Sequence, residues 1–226
     1  MTRILTLLLS GLATSSVALA QETVDVGVLR DEDISVVQKL LYSKEGRTEF
    51  GGYVGWMPFD AYTTTPMAGV GVMRHLSETL GAGVSLGGGY SLKNASYKEL
   101  EGPAYGVSPD AYRYLGSAMG ELAWSPIYAK MNWQGNAVVH HDIYGLIGAG
   151  ITVEQAMLPD NAMAYAPTIG AGIGARIFLS DKAMLKVQLR DDFLLEKRIK
   201  TEDTQGTFLK QNVGITIGFS SLGARS

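Results

Sequence analysis

Between residues 80 and 92 the chain alternates, one position at a time, between oily and small side chains. Leu80, Ala82, Val84, Leu86, Gly88, Tyr90 and Leu92 fall on one side; Gly81, Gly83, Ser85, Gly87, Gly89 and Ser91 fall on the other. Neighbouring side chains of a strand point to opposite faces, so this segment reads as a strand with one greasy face and one nearly bare face. Its length suits a tilted strand that crosses a bilayer, which needs about 9–11 residues.

The same period recurs along the chain. Val213, Ile215, Ile217 and Phe219 oppose Asn212, Gly214, Thr216 and Gly218. Ile169, Ala171, Ile173, Ala175, Ile177 and Leu179 oppose Thr168, Gly170, Gly172, Gly174 and Arg176. In all, eight strands are expected, over 47–57, 66–76, 80–92, 112–125, 140–154, 165–179, 183–196 and 208–220. An even number is what a closed antiparallel bacterial barrel requires. The high glycine content, 28 of 226 residues, follows from the small face.

The small face also carries Glu49, Glu121, Asp142, Arg176, Lys186, Arg190 and Asp192. Charges set among glycines suit the inside of a narrow barrel, where they pair and where small neighbours relieve crowding. The bulky face then meets lipid, with Trp56, Tyr90, Tyr114 and Trp124 near strand ends as aromatic girdles. Asp191 breaks the alternation by falling on the bulky side. The alternative is a soluble barrel around a lipid-like ligand. The fold expected is all-β: an eight-stranded antiparallel transmembrane β-barrel with a short N-terminal periplasmic helix.

Connections alternate in length. Ser77-Glu78-Thr79 and Ser180-Asp181-Lys182 read as tight periplasmic turns, while 57–65, 93–111, 155–164 and 197–207 read as longer outer loops. Residues 126–139 read as an unusually long periplasmic connection. Ahead of the barrel, Asp33 caps an amphipathic helix to Tyr42, with Ile34, Val37, Leu40 and Leu41 on one face.

Met1-Thr2-Arg3, an apolar stretch and Ala18-Leu19-Ala20 before Gln21 form a secretory signal peptide. The expected organisation is a signal peptide over 1–20, a periplasmic segment over 21–45, a barrel over 46–220 and a tail over 221–226. With no cysteine, neither a lipid-modified N-terminal Cys nor a thiolate metal site is available. The net charge of -3 argues against a nucleic-acid partner.

Chemistry finds little support. The histidines, His75, His140 and His141, all fall near the periplasmic side, and the candidate lumenal serines, Ser85 and Ser117, lack a nucleophile's sequence context and read as packing. His140 and His141 point to opposite faces, so they cannot easily share a metal. No catalytic residue, metal site or cofactor is expected. An eight-stranded barrel leaves an interior only wide enough for its own side chains, so no sizeable pore is expected either. Three surfaces remain for partners: the outer loops, the helix through Ile34, Val37 and Leu41, and the connection bearing Tyr128 and Trp133.

Several segments carry a resemblance. Tyr42-Ser43-Lys44-Glu45-Gly46-Arg47-Thr48-Glu49-Phe50, Ser77-Glu78-Thr79-Leu80-Gly81, Ser125-Pro126-Ile127-Tyr128-Ala129-Lys130-Met131-Asn132, His140-His141-Asp142-Ile143-Tyr144 and Gly148-Ala149-Gly150 occur in that order. Together they resemble the outer membrane β-barrel family of myxobacteria and relatives, which includes barrels of gliding-motility machinery. The resemblance implies a structural or interaction barrel in the outer membrane, within an envelope-spanning complex for motility or surface transport. A small channel or transport barrel is the alternative, and a lipid-modifying barrel enzyme a further one. The partners expected are outer-membrane lipids, the barrel-assembly machinery and periplasmic or outer-membrane proteins. Asn212, Gly214, Ile217 and Phe219 look like the assembly signal that machinery reads, though seven residues follow Phe219.

Overall fold

The computed structural model describes residues 41–133, 137–157, 162–201 and 204–224. The chain divides into two units, Met1–Lys39 and Leu40–Ser226, and every described residue belongs to the second. Strand β1 (Thr48–Met57) is followed by β2 (Thr63–His75), β3 (Leu80–Gly89) and a two-residue β4 (Leu92–Lys93). After helix α1 (Ala95–Glu101) come β5 (Tyr112–Trp133), β6 (Ala137–Ala156), β7 (Met163–Phe178), β8 (Ala183–Thr201) and β9 (Thr204–Leu222).

Every ladder is antiparallel, and each main strand pairs with its neighbour in the sequence, β3 passing over β4 to β5. β1 pairs with both β2 and β9, which closes eight strands into a ring. Closure removes the sheet edges that would otherwise need covering. β4 lies outside the ring, paired only with the start of β2.

The barrel is inside out relative to a water-soluble domain. Val54, Leu86, Ile147 and Ile169 stand 58–65% exposed, while Glu49, Asp142 and Arg176 are at most 2% exposed. Such an aliphatic side chain gains about 1.5–3 kcal/mol on leaving water, and on this surface only lipid can supply that gain. Trp56, Tyr90 and Tyr165 ring the loop end of this belt, and Trp124 marks the turn end. Among the described residues no helix is long and apolar enough to cross a membrane; the strands do the crossing.

The structure corrects several expectations. Tyr114 is not lipid-facing: a register shift between Tyr114 and Gly116 turns it inward, where it is 3% exposed and hydrogen-bonded to Ser117 Oγ at 2.8 Å. Strict alternation cannot register a bulge, which inserts a residue and flips the faces beyond it. The connection expected over 126–139 is mostly strand: β5 runs on to Trp133 and β6 starts at Ala137. The 197–207 segment likewise continues β8 to Thr201 and resumes as β9 at Thr204. The loop 93–111 contains α1, capped by Asn94, whose side chain accepts from Tyr97 N at 3.0 Å. β9 ends at Leu222, so the tail begins later than expected and Phe219 lies three residues inside the strand. Leu41 and Tyr42 form a bend rather than a helix end, and the rest of the expected helix, with Ile34 and Val37, lies outside the described residues.

Candidate functional site: a cross-braced lumen and its turn-end mouth

The inward side chains build three charged tiers along the barrel axis. Nearest the tight turns, Arg176 on β7 lies fully buried across the lumen. Its Nη1 donates to Asp142 Oδ2 at 3.2 Å and to Ser125 Oγ at 2.8 Å, and its Nε is 3.6 Å from Glu49 Oε2. The guanidinium lies 4.1 Å from the centre of the Tyr144 ring, stacked on its face. Glu49 also accepts from Lys186 Nζ at 2.7 Å and meets His75 Nε2 at 3.0 Å. Lys44 completes the tier, reaching in from the chain before β1 to pair with Asp142.

The middle tier centres on Arg190. Its Nε donates to Asp192 Oδ1 at 2.6 Å and its Nη1 to Glu121 Oε1, which also accepts from Ser85 Oγ. Between these two tiers a cavity of about 80 Å³ is lined by Glu49, Ser85, Glu121, Lys186, Gln188 and Arg190, among others. At roughly 10–15 Å³ per water, that is room for a handful of waters and not for a solute stream.

Towards the loops, Lys210 Nζ is 2.9 Å from Glu154 Oε1, 3.3 Å from Glu196 Oε1 and 3.6 Å from Asp60 Oδ2. Asp60 Oδ1 also accepts from the backbone N–H groups of Tyr62 and Thr63, both at 2.9 Å, tying the β1–β2 loop to this tier. None of these four residues was singled out in the sequence. Glu154 and Lys210 sat at the edges of their expected strands, Glu196 closed one, and Asp60 lay in a loop, so alternation gave them no face.

Glycines make room for the tiers. A Cβ on Gly174 would stand 2.5 Å from the Tyr144 ring, and one on Gly87 would stand 2.7 Å from Tyr53 Oη. The bare stripe read in the sequence is thus the surface over which tyrosines and arginines lie. Asp191 remains on the outer face, where its carboxylate accepts from Gln211 Nε2 on β9.

All seven charged residues of the small face lie inside and pair with one another: Glu49, Asp142, Arg176 and Lys186 in one tier, Glu121, Arg190 and Asp192 in the next. Of the assembly-signal residues, Asn212 is buried, Gly214 shares its inner face, and Ile217 and Phe219 are each 54% exposed on the outer face.

The mouth at the turn end is closed by the chain preceding β1. Lys44 N donates to Glu78 Oε2 at 2.9 Å and Glu45 N to Glu78 Oε1 at 3.2 Å, with Ser43 Oγ on the same carboxylate. Burial alone would raise the Glu78 pKa, but these three donors outweigh it and lower it. Arg47 donates to the carbonyls of Ser43 and Gly223 and to Asp181. Tyr42 stacks on Phe178 at 5.4 Å and meets His140 edge-on at 5.1 Å, while Tyr128 packs on the same two rings. Of the expected partner surface, Leu41 is exposed, Tyr128 is half-buried in this ring cluster, and Trp133 ends β5. His75 is held by Glu49, and His140 lies among the Tyr42, Tyr128 and Phe178 rings. Among the described residues no group of three or more His, Asp or Glu side chains is arranged to hold a metal ion.

A closed ring of eight antiparallel strands, apolar outside and charged within, defines a transmembrane β-barrel. The N-terminal β-barrel domain of Pseudomonas aeruginosa OprF shares this fold, with a TM-score of 0.50 and 9% identity over 79% of this chain and 98% of that one. Neisserial surface protein A also aligns, with a TM-score of 0.42 and 8% identity, covering 77% of this chain and 95% of that one. A de novo designed transmembrane β-barrel aligns with a TM-score of 0.37 and 15% identity, over 81% of this chain and all of the design. No protein-family model and no curated protein matches the chain.

Proposed function

We propose that the chain is a closed, non-enzymatic barrel of the bacterial outer membrane, anchoring an envelope-spanning complex through its turn end. The turn end is then periplasmic and the long loops face outward, as short turns and long loops do in such barrels. The carrying observation is the cross-bracing of the lumen. Arg176 spans from β7 to Glu49 on β1 and Asp142 on β6, and Arg190 on β8 reaches Glu121 on β5. A barrel tied across its bore by buried ion pairs is built to be rigid rather than to pass solute, and what it offers a partner is its rims.

The test is in-cell crosslinking of the tagged chain in native envelopes, with captured proteins identified by mass spectrometry. A reproducible set of periplasmic and outer-membrane proteins beyond assembly factors is expected. Capture of assembly factors alone would leave an autonomous barrel and overturn the reading. The cavity between the lower two tiers favours a second reading, an ion-sized path gated by Arg190. Conductance steps in planar bilayers that change with Arg190→Gln or Glu121→Gln would support it; a silent bilayer is expected.

A further inference from the structure

β5 and its neighbour β3 part company at the turn end. Their ladder ends at Leu80–Trp124, and the bond from Ser125 N to Thr79 O at 2.7 Å comes just beyond it. β5 nevertheless continues to Trp133, paired with β6 alone. Among the described residues, 126–132 therefore have no partner on the β3 side and form a bare strand edge at the turn end, as β9 before Ile215 and β8 after Leu194 do at the loop end.

We infer that an extended segment of a periplasmic polypeptide completes this edge, adding to the barrel wall as one more strand; this rests on the reading of the chain as an interaction barrel. An edge strand held by one partner already has the twist and spacing that a second extended backbone matches, so pairing orders only the newcomer. Natural edges are blunted by prolines, bulges and charges. Here Pro126 and the register shift between Trp124 and Ile127 stand at the start, and beyond them Lys130 is the one charged residue up to Trp133.

The side chains flanking the edge favour a polypeptide of particular chemistry. Ile127 and Met131 are 50% and 44% exposed, and Val138 across the hairpin is 60% exposed. From Ser125 to His141 the sequence contains no Asp or Glu, only Lys130 and two histidines, in a chain whose net charge is -3. The incoming strand accordingly alternates apolar residues with at least one carboxylate that meets Lys130. A second copy of this chain fits poorly. Two barrels in one membrane, related by a twofold axis along its normal, would run these edges parallel and bring Lys130 against Lys130. Lipid headgroups can pair with Lys130 but cannot match a row of alternating backbone donors and acceptors.

The experiment places a photo-reactive side chain singly at positions 127 to 132 of the full chain in native envelopes and maps the crosslinked residue on the partner. A probe at Val107, exposed in a loop at the opposite end, serves as comparison. The expected result is one periplasmic protein, contacted at residues that move by two along its chain as the probe moves by two. Lys130→Glu should cut that yield at least tenfold while the barrel keeps its heat-modifiable gel migration. Partner contacts at helical spacing, adducts to phospholipid alone, or adducts to a second copy each overturn strand addition. Capture of a partner from Val107 but not from the edge overturns it while leaving the interaction-barrel reading standing. Capture of no protein from either end overturns both.

Discussion

The two ends of the lumen handle buried charge in opposite ways. Near the turns, Glu49 and Asp142 face three cations, Lys44, Arg176 and Lys186, with His75 as a further contact. Near the loops, Asp60, Glu154 and Glu196 all converge on Lys210. Each carboxylate of the first tier has more than one positive or hydrogen-bonding partner, so the loss of one leaves it paired. The three carboxylates of the loop-end tier share one ammonium, that of Lys210, to which Asp60 adds the backbone N–H groups of Tyr62 and Thr63. Redundancy at the turn end suits the mouth where the chain closes on itself and where a partner is proposed to pull. The loop end has no such closure to defend.

The largest expected effect follows from that dependence. Lys210→Met takes away the ammonium that Asp60, Glu154 and Glu196 share, and removing one partner of a buried ionic cluster costs about 3–5 kcal/mol. Urea unfolding in lipid vesicles would measure it. Adding Glu154→Gln and Glu196→Gln to the same chain should recover most of the loss, because the defect is uncompensated charge and not missing packing. A loss that persists in the triple variant would break the comparison.

Next in size is the wall itself. Leu86 is 58% exposed on the outer face, and an arginine at mid-membrane on that face costs about 2–4 kcal/mol. Normal folding of Leu86→Arg in vesicles would reverse the assignment of inside and outside, and with it all three tiers. Gly87→Arg should fail by another route. Its Cβ would lie 2.7 Å from Tyr53 Oη and 3.3 Å from Tyr114 Oη, so the added chain has to displace both tyrosine side chains.

The turn-end counterpart of Lys210→Met is Arg176→Met. Arg176 is fully buried, yet Asp142 keeps Lys44, and Glu49 keeps Lys186 and His75. Its loss should cost about 1–3 kcal/mol, the range for leaving buried hydrogen-bonding groups without one partner. The informative readout is the difference between the two variants by the same urea titration. If Arg176→Met proves as damaging as Lys210→Met, redundancy is not what separates the ends.

The same contrast marks what the sequence could disclose. The turn-end and middle tiers sit inside uninterrupted period-two runs, so Arg176 among Gly170, Gly172 and Gly174 announces its face without a structure. The loop-end tier lies where strands meet loops, and its assembly depends on how far β8 and β9 extend, which composition does not limit. Tyr114 was misplaced by one bulge, and the 126–139 segment by its polar, turn-like composition around residues 132–136. Lys44 was read as part of a motif, not as a lumenal charge, because its reach into the bore depends on a bend ahead of β1 and has no periodic signature.

The smallest effect tests the closure of the turn-end mouth. Glu78 is held below the ordinary glutamate value of 4.5: burial opposes ionisation, but the backbone N–H groups of Lys44 and Glu45 and the Ser43 hydroxyl favour the carboxylate more strongly. A carboxyl whose folded pKa is depressed contributes stability above its unfolded pKa and loses it as pH falls through the folded value. The latch should therefore hold from neutral pH down to about 4.5 and loosen only below it. The turn is largely solvated, so screening keeps the contribution well under about 1 kcal/mol. Amide NMR shifts of Lys44 and Glu45 in micelles should titrate together with a midpoint below 4.5, and Glu78→Gln should abolish that titration. A midpoint at or above 4.5 would mean that water, and not the chain ahead of β1, solvates Glu78, leaving Lys44 and Arg47 as the contacts that close the mouth.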